Sequence, residues 1–127
     1  FKLALETLDH LGLSDKIKNL ADHLSLPEKK CLEIARALSI NPKLLLLDEV
    51  MAGMRPAEID HLVLILQRLK QNFNLTLVMI EHNMRAVMAC CERVIVLAQG
   101  RKIAEDTPFH IRQHPEVIKI YLGTDIC

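Results

Sequence analysis

The sequence of 127 residues has no tryptophan, only one tyrosine and only three phenylalanines, so its core must be aliphatic. Lys and Arg number 16, as do Asp and Glu, and the balance gives no reason to expect nucleic acid or an acidic surface as a partner. No apolar run approaches the roughly 20 residues that a membrane-spanning helix needs. Half of the residues are nevertheless hydrophobic, which predicts one aliphatic domain or part of one.

Cysteine patterns typical of metal or disulfide sites are missing as well. The four cysteines form no CxxC pair, and their spacing matches no zinc module. We therefore expect buried, reduced thiols in a cytoplasmic protein. The chain starts at Phe1 without an initiator methionine or a signal peptide, which favours an internal segment of a longer protein.

Glycine is scarce, and its placement excludes one kind of phosphate site within these residues. None of the four glycines precedes a Lys-Ser or Lys-Thr pair, which is what a glycine-rich phosphate loop requires.

The most informative stretch is a run of four leucines, Leu44 to Leu47, that ends in Asp48 and Glu49. A short, unbroken apolar run after Pro42 predicts a strand buried on both faces. Its acids would lie at the carboxyl end, where open α/β sheets bind ligands, and they suit a metal, a water or a phosphate. The alternative is that they serve only as turn or capping residues.

A second predicted strand, 75–80, also ends in polar residues, and His82 is among them. An amphipathic helix that starts at Pro56 separates the two strands, so the pattern predicts a βαβ unit with parallel strands. Both strand tips would then lie at one edge of the sheet. Asp48, Glu49 and His82 are therefore expected to converge.

The remaining pattern predicts further helices and one hairpin. Ser25 and Glu28 form a capping box, and Ser25 is either a plain N-cap or part of an anion site at a helix N-terminus. The expected elements are helices at 1–12 (with Leu3, Leu5, Leu8 and Leu11 on one face), 14–21, 26–40 and 84–91, a strand at 94–97 that leads into a hairpin with 101–104, a short helix capped by Thr107, and a last helix from Pro115 to Leu122 that stops at Gly123.

Four motifs resemble, in order and spacing, the C-terminal part of an ABC-transporter ATP-binding subunit. They are Leu24-Ser25, Leu32-Glu33-Ile34-Ala35-Arg36-Ala37-Leu38, Leu44-Leu45-Leu46-Leu47-Asp48-Glu49 and Ile80-Glu81-His82-Asn83. Residues 84–88 and 120–123 are most similar to the branched-chain amino acid transport branch, with the lipopolysaccharide-export ATPase as the nearest alternative. The resemblance implies an α/β fold, the C-terminal part of a P-loop nucleotide-binding domain. Residues 1–40 would end a helical subdomain and carry the signature helix, and residues 41–127 would carry Walker B, the D-loop, the switch histidine and the C-terminal helices.

The resemblance also implies roles for individual residues. Asp48 would hold Mg²⁺ through water, Glu49 would be the general base, and His82 would be the switch histidine that contacts the γ-phosphate. Ser25 would be the signature serine, which acts across a dimer on ATP held by the other subunit. The D-loop would supply dimer contacts, from Ala52, Gly53, Met54 and Arg55.

Several positions depart from the family's pattern. Leu26, Pro27 and Glu28 replace the usual Gly-Gly-Gln of the signature, and Pro27 has no N–H to offer a phosphate. Val50 replaces a proline, and Arg55 replaces an Asp or Asn. We therefore expect weaker phosphate binding at the signature.

The implied function is an ATPase subunit that energises import of branched-chain amino acids. It would work with a second ATP-binding subunit and membrane permease subunits, at the inner face of the plasma membrane. Without a glycine-rich loop, the 127 residues alone are expected to be inactive. The main alternative is a binding or regulatory module without catalysis, and a non-transport ABC ATPase is a weaker one.

Overall fold

A computed structural model describes residues 2–122, which fall into two compact units divided between His82 and Asn83. The first unit contains α1 (Lys2–His10), two 3₁₀ turns (Ser14–Lys16 and Ala21–His23), α2 (Leu26–Leu38), β1 (Leu44–Asp48), α3 (Pro56–Asn72) and β2 (Thr76–Ile80). The second contains α4 (Met84–Cys90), β3 (Val94–Ala98), β4 (Arg101–Asp106), α5 (Pro108–Ile111), α6 (Pro115–Val117) and a π-helical turn (Ile118–Leu122).

The helices α2 and α3 supply much of the core of the first unit. The helix α1 packs against α2 and α3, and α2 also packs against α3. Leu62, Leu66 and Leu69 of α3 are almost completely buried, and they recur at the spacing of one helix face. The predicted helix α2 buries one face, which carries Cys31, Ile34, Ala35 and Leu38.

The two strands of the first unit form a parallel pair on either side of α3, as the βαβ pattern predicts. Leu44 lies opposite Thr76, and Asp48 lies opposite Ile80. The carboxyl ends of β1 and β2 therefore lie side by side, which brings the residues after each strand to the same edge.

The prediction that β1 is buried on both faces is wrong. Leu45 and Leu47 of β1 are buried, whereas Leu44 is 50% and Leu46 is 68% exposed. Val78 and Ile80 of β2 are exposed on the same side. Successive side chains of a strand point to opposite faces, and the residues that the structure describes cover only one of them.

The N-terminal segment also departs from the sequence pattern. The expected helix at 14–21 is replaced by the two 3₁₀ turns, and the hydroxyl of Ser14 donates to Asp9 Oδ1 at 2.6 Å instead of capping a helix. Gly12, at a φ of 70°, lets the chain turn after α1. Leu3 is exposed, so the apolar face of α1 begins at Leu5.

The second unit is built on the predicted hairpin. The strands β3 and β4 pair antiparallel, and Gln99 and Gly100 make the turn between them with positive φ angles of 48° and 74°. Val96, Ile111 and Val117 form a buried cluster within it. The last helix is shorter than expected, because α6 gives way at Ile118 to the π-helical turn, and the predicted stop at Gly123 lies outside the described residues.

Among residues 2–122, no helix is both long enough and apolar enough to cross a membrane.

Candidate functional site

The carboxyl ends of β1 and β2 bring an acid and an imidazole together. The N–H of Glu49 donates to the carbonyl of Ile80 at 2.9 Å, which fixes the first residue after β1 to the end of β2. The Oε1 atom of Glu49 lies 3.6 Å from Nδ1 of His82. Both side chains are open to solvent, at 56% and 71% exposure, so a ligand can approach them from outside.

Glu49 adopts a backbone conformation that side-chain-bearing residues rarely use. Its φ is 44°, in the left-handed region. A residue other than glycine held there carries strain of about 1–3 kcal/mol, which the surrounding structure must offset. The left-handed turn at Glu49 lets the chain leave β1 sharply and leaves the carboxylate beside His82.

Asp48 is the last residue of β1, and its side chain is exposed. Among the described residues, no three His, Cys, Asp or Glu side chains cluster closely enough to enclose a metal. Mg²⁺ does not need such a cage, since it keeps several waters and binds through one or two carboxylates and the phosphates of a substrate. The hard oxygen donors of Asp48 and Glu49 at an open strand edge therefore fit a magnesium ion that arrives with a nucleotide.

The loop after Glu49 packs inward rather than into solvent. Val50 and Met51 are buried, and the N–H of Met51 donates to Oε1 of Glu81 at 3.0 Å. Sequence reasoning missed Glu81. Its position in the sequence, between the end of β2 and His82, could have indicated that it lies beside the predicted site.

The predicted dimer-contact residues, 52–55, continue this loop. Gly53 has a φ of 78°, and a Cβ added there would lie 3.3 Å from Cδ2 of Leu26, so the glycine allows close packing against the start of α2. Arg55 binds Glu58 in the first turn of α3. Its guanidinium lies 2.6 Å from Oε1 of Glu58, and its backbone N–H donates to Oε2 of Glu58 at 2.8 Å. These bonds hold the pKa of Glu58 below its usual value.

Ser25 stands at the N-terminus of α2 as predicted, and an internal anion already occupies its donors. Its N–H and its hydroxyl donate to the same Oε2 atom of Glu28, at 2.7 and 2.8 Å. Lys16 lies 3.6 Å from the other oxygen of Glu28. The two bonds from Ser25, and then Lys16, lower the pKa of the Glu28 carboxyl.

The pair at the strand edge has the chemistry of a proton-transfer site. An exposed carboxylate can accept a proton from water, and a neighbouring imidazole can donate a hydrogen bond to an anion or to that carboxylate. The structure brings the side chains of Glu49 and His82 together, and Asp48 directly precedes Glu49 in the sequence. Ser25 stands apart from them in sequence, at the start of α2.

The sequence also matches two family models. One, described as "ABC transporter", matches residues 2–52, and the other, described as "Branched-chain amino acid ATP-binding cassette transporter", matches residues 101–126. The high-affinity branched-chain amino acid transport ATP-binding protein BraF of Pseudomonas aeruginosa is 38% identical over 120 residues, which cover 94% of this chain and 47% of BraF. The chain belongs to the ABC-transporter ATP-binding family. The ATP-binding protein LivG of Escherichia coli, described in the same terms as BraF, is likewise 38% identical, over 116 residues that cover 91% of this chain and 46% of LivG.

Solved structures of ABC ATP-binding cassettes have the same fold as this chain. The ADP conformation of MJ1267, an ATP-binding cassette of an ABC transporter, superposes with a TM-score of 0.86 at 31% identity, and the match covers 96% of this chain and 49% of that one. CbiO1 from Clostridium perfringens, part of the ABC transporter complex CbiONQ, superposes with a TM-score of 0.84 at 28% identity, covering 93% and 47%. The α/β nucleotide-binding fold expected from the motifs is confirmed. The chain spans about half the length of the curated relatives that it matches.

Proposed function

We propose that this chain forms the part of an ABC ATPase subunit that carries the residues for ATP hydrolysis, and that the subunit drives import of branched-chain amino acids. The observation that carries the proposal is the 3.6 Å approach of Glu49 Oε1 to His82 Nδ1 at the shared edge of two parallel strands. The similarity to BraF and LivG, both branched-chain amino acid transport ATP-binding proteins, supports import of branched-chain amino acids over lipopolysaccharide export.

In this proposal Glu49 is the general base. Its exposed carboxylate accepts a proton from the water that attacks the γ-phosphate. His82 contacts both the γ-phosphate and Glu49 and so positions them relative to each other. Phosphoryl transfer depends mainly on positioning and charge stabilisation, so a few correctly held groups suffice. Asp48 would hold Mg²⁺, and the ion would supply positive charge to neutralise the phosphates.

The remaining proposed roles depend on a dimer of two ATP-binding subunits. Ser25 faces ATP held by a second ATP-binding subunit, and residues 52–55 contact that subunit. Membrane permease subunits hold the pair at the cytoplasmic face of the plasma membrane. For the 127 residues alone we propose negligible affinity for Mg-ATP, because no glycine-rich phosphate loop occurs in them.

The test is Glu49→Gln, made in the protein expressed at the full length of its gene. ATP binding should be retained, while phosphate release should fall by about 100-fold or more, which is the range of a lost general base. Glu33→Gln, an exposed glutamate on α2, is the matched control and should leave both unchanged. Turnover that survives Glu49→Gln would refute the assigned base.

A binding or regulatory module without turnover is the second candidate, and one observation favours it. The Glu28 carboxylate occupies both donors of Ser25, so the signature helix offers a phosphate less than a glycine-rich sequence would. A full-length protein that binds ATP but releases no phosphate, even with its membrane subunits present, would support this candidate.

A further inference from the structure

The loop that carries the proposed base is tied to β2 at more than one point. The N–H of Glu49 donates to Ile80 at 2.9 Å, and the N–H of Ala52 donates back to the carbonyl of Glu49 at 3.0 Å. The second bond closes a tight turn in which Glu49 has a positive φ of 44°, and the first joins that turn to the end of β2. A strained turn of this kind keeps its shape only where its surroundings hold it.

Glu81 supplies the remaining tie. Its Oε1 atom accepts the N–H of Met51 at 3.0 Å, and this bond joins two segments that are 30 residues apart in sequence. Met51 is 3% exposed, so its amide has little access to water that could take the place of the carboxylate. A charged acceptor on a backbone N–H is stronger than a neutral one, and a buried N–H without a partner is unfavourable.

Two adjacent side chains after β2 therefore reach the loop after β1 at different places. His82 approaches the Glu49 carboxylate, while Glu81 holds the backbone two residues beyond Glu49. The bond from Ile80 holds the backbone of Glu49, and the bond from Glu81 holds the loop that follows it. Since the N–H of Ala52 donates to the carbonyl of Glu49, a shift of that loop away from Glu81 would disturb the turn that orients the Glu49 side chain.

We propose that Glu81 is a positioning residue for hydrolysis, which holds the loop 49–52 so that the Glu49 carboxylate stays beside His82. This inference rests on the proposed function and deepens it. Glu81 neither touches the reacting atoms nor holds the nucleotide in this scheme. Its loss should therefore slow the chemical step without weakening ATP binding.

The experiment compares Glu81→Gln with Glu81→Ala in the full-length protein assembled with its membrane subunits. Glutamine keeps an oxygen that can accept the Met51 N–H, so kcat should stay within about threefold of the unmodified protein. Alanine removes the acceptor, and kcat should fall by at least about tenfold while KM for ATP changes less than twofold. Glu33→Ala serves as the control for loss of a glutamate elsewhere in the first unit.

A double variant separates positioning from general damage. In a Glu49→Gln background, Glu81→Ala should cause no further loss of kcat, because the group that it positions is already gone. A further loss of tenfold there, or equal activity of Glu81→Ala and the unmodified protein, would overturn the proposal. A rise in KM with kcat unchanged would also overturn it.

Amide hydrogen exchange at Met51 provides a readout that does not need turnover. In Glu81→Ala this amide should exchange at least about tenfold faster, whereas in Glu81→Gln it should remain within about threefold of the unmodified protein. Slow exchange at Met51 in Glu81→Ala, in a protein whose α3 amides remain protected, would refute the tie itself. If the unmodified protein showed no ATPase activity, the proposed function would fail while this exchange result still stood.

Discussion

The backbone N–H and the hydroxyl of Ser25 both donate to one carboxylate oxygen, Oε2 of Glu28, at 2.7 and 2.8 Å. Glu28 thus places its own negative charge at the positive end of α2. In the family's usual signature, glutamine stands at this position and glycines leave the helix start open. Here the helix carries an internal anion, so a phosphate must displace Glu28 to reach Ser25.

Acid should weaken this helix start. Because the folded pKa of Glu28 is below the unfolded value of about 4.3, its contribution is present above that value and is lost as pH falls through the folded pKa. We expect the unmodified chain to exceed Glu28→Gln in thermal midpoint at pH 7, with the difference shrinking towards pH 3. The midpoints of both proteins, followed by circular dichroism from pH 3 to 7, provide the measurement. A difference that is constant across this range would contradict the prediction.

Removal of the imidazole at the strand edge should lower ATP turnover in the full-length protein. We expect His82→Ala to reduce phosphate release by about 10- to 100-fold, since acid–base and positioning groups contribute on this scale. His23→Ala, which changes an exposed histidine of a 3₁₀ turn, is the matched control and should stay within twofold. If the two variants behave alike, His82 has no role in hydrolysis.

Two leucines on α3 should differ sharply in their effect on stability. Leu66 is fully buried, and Leu64, two residues earlier, is 52% exposed. Leu66→Ala should lower the free energy of unfolding by about 2–5 kcal/mol, because it leaves a cavity. Leu64→Ala should change that free energy by about 0.5 kcal/mol or less. Urea unfolding of the two variants measures the difference, and similar losses would show that α3 packs by another face.

Neighbouring leucines on β1 should separate folding from self-association. Leu46 lies on the exposed apolar face with Leu44, Val78 and Ile80, whereas Leu45 points into the core. Leu46→Lys should leave the fold intact and reduce association of the chain at high concentration, because it places a charge on that face. Leu45→Lys should unfold the chain, since it buries an unpaired charge. Sedimentation of both variants tests this, and undiminished association of Leu46→Lys would locate the contact elsewhere.

Local sequence patterns predicted the elements well where the spacing of apolar residues or the turn residues were clear. The helix α3 follows from its leucine spacing and Pro56, the hairpin follows from Gln99-Gly100, and the parallel strand pair follows from alternation of strands with helices. The prediction that β1 is buried on both faces failed. An apolar run indicates that both faces of a strand can be buried, but not whether the described residues cover both of them. The tie from Glu81 to Met51 was equally out of reach, since a side-chain bond across 30 residues leaves no periodic signal.

The left-handed backbone of Glu49 has a consequence for how this position changes over generations. Glycine or asparagine would relieve the strain at a φ of 44°, so mutation and selection for stability alone should drift towards them. Only a need for the carboxylate opposes that drift. If Glu49 is the proposed base, descendants that have lost ATP hydrolysis should tend to acquire glycine or asparagine at position 49. A comparison of position 49 between hydrolysing and non-hydrolysing descendants tests this.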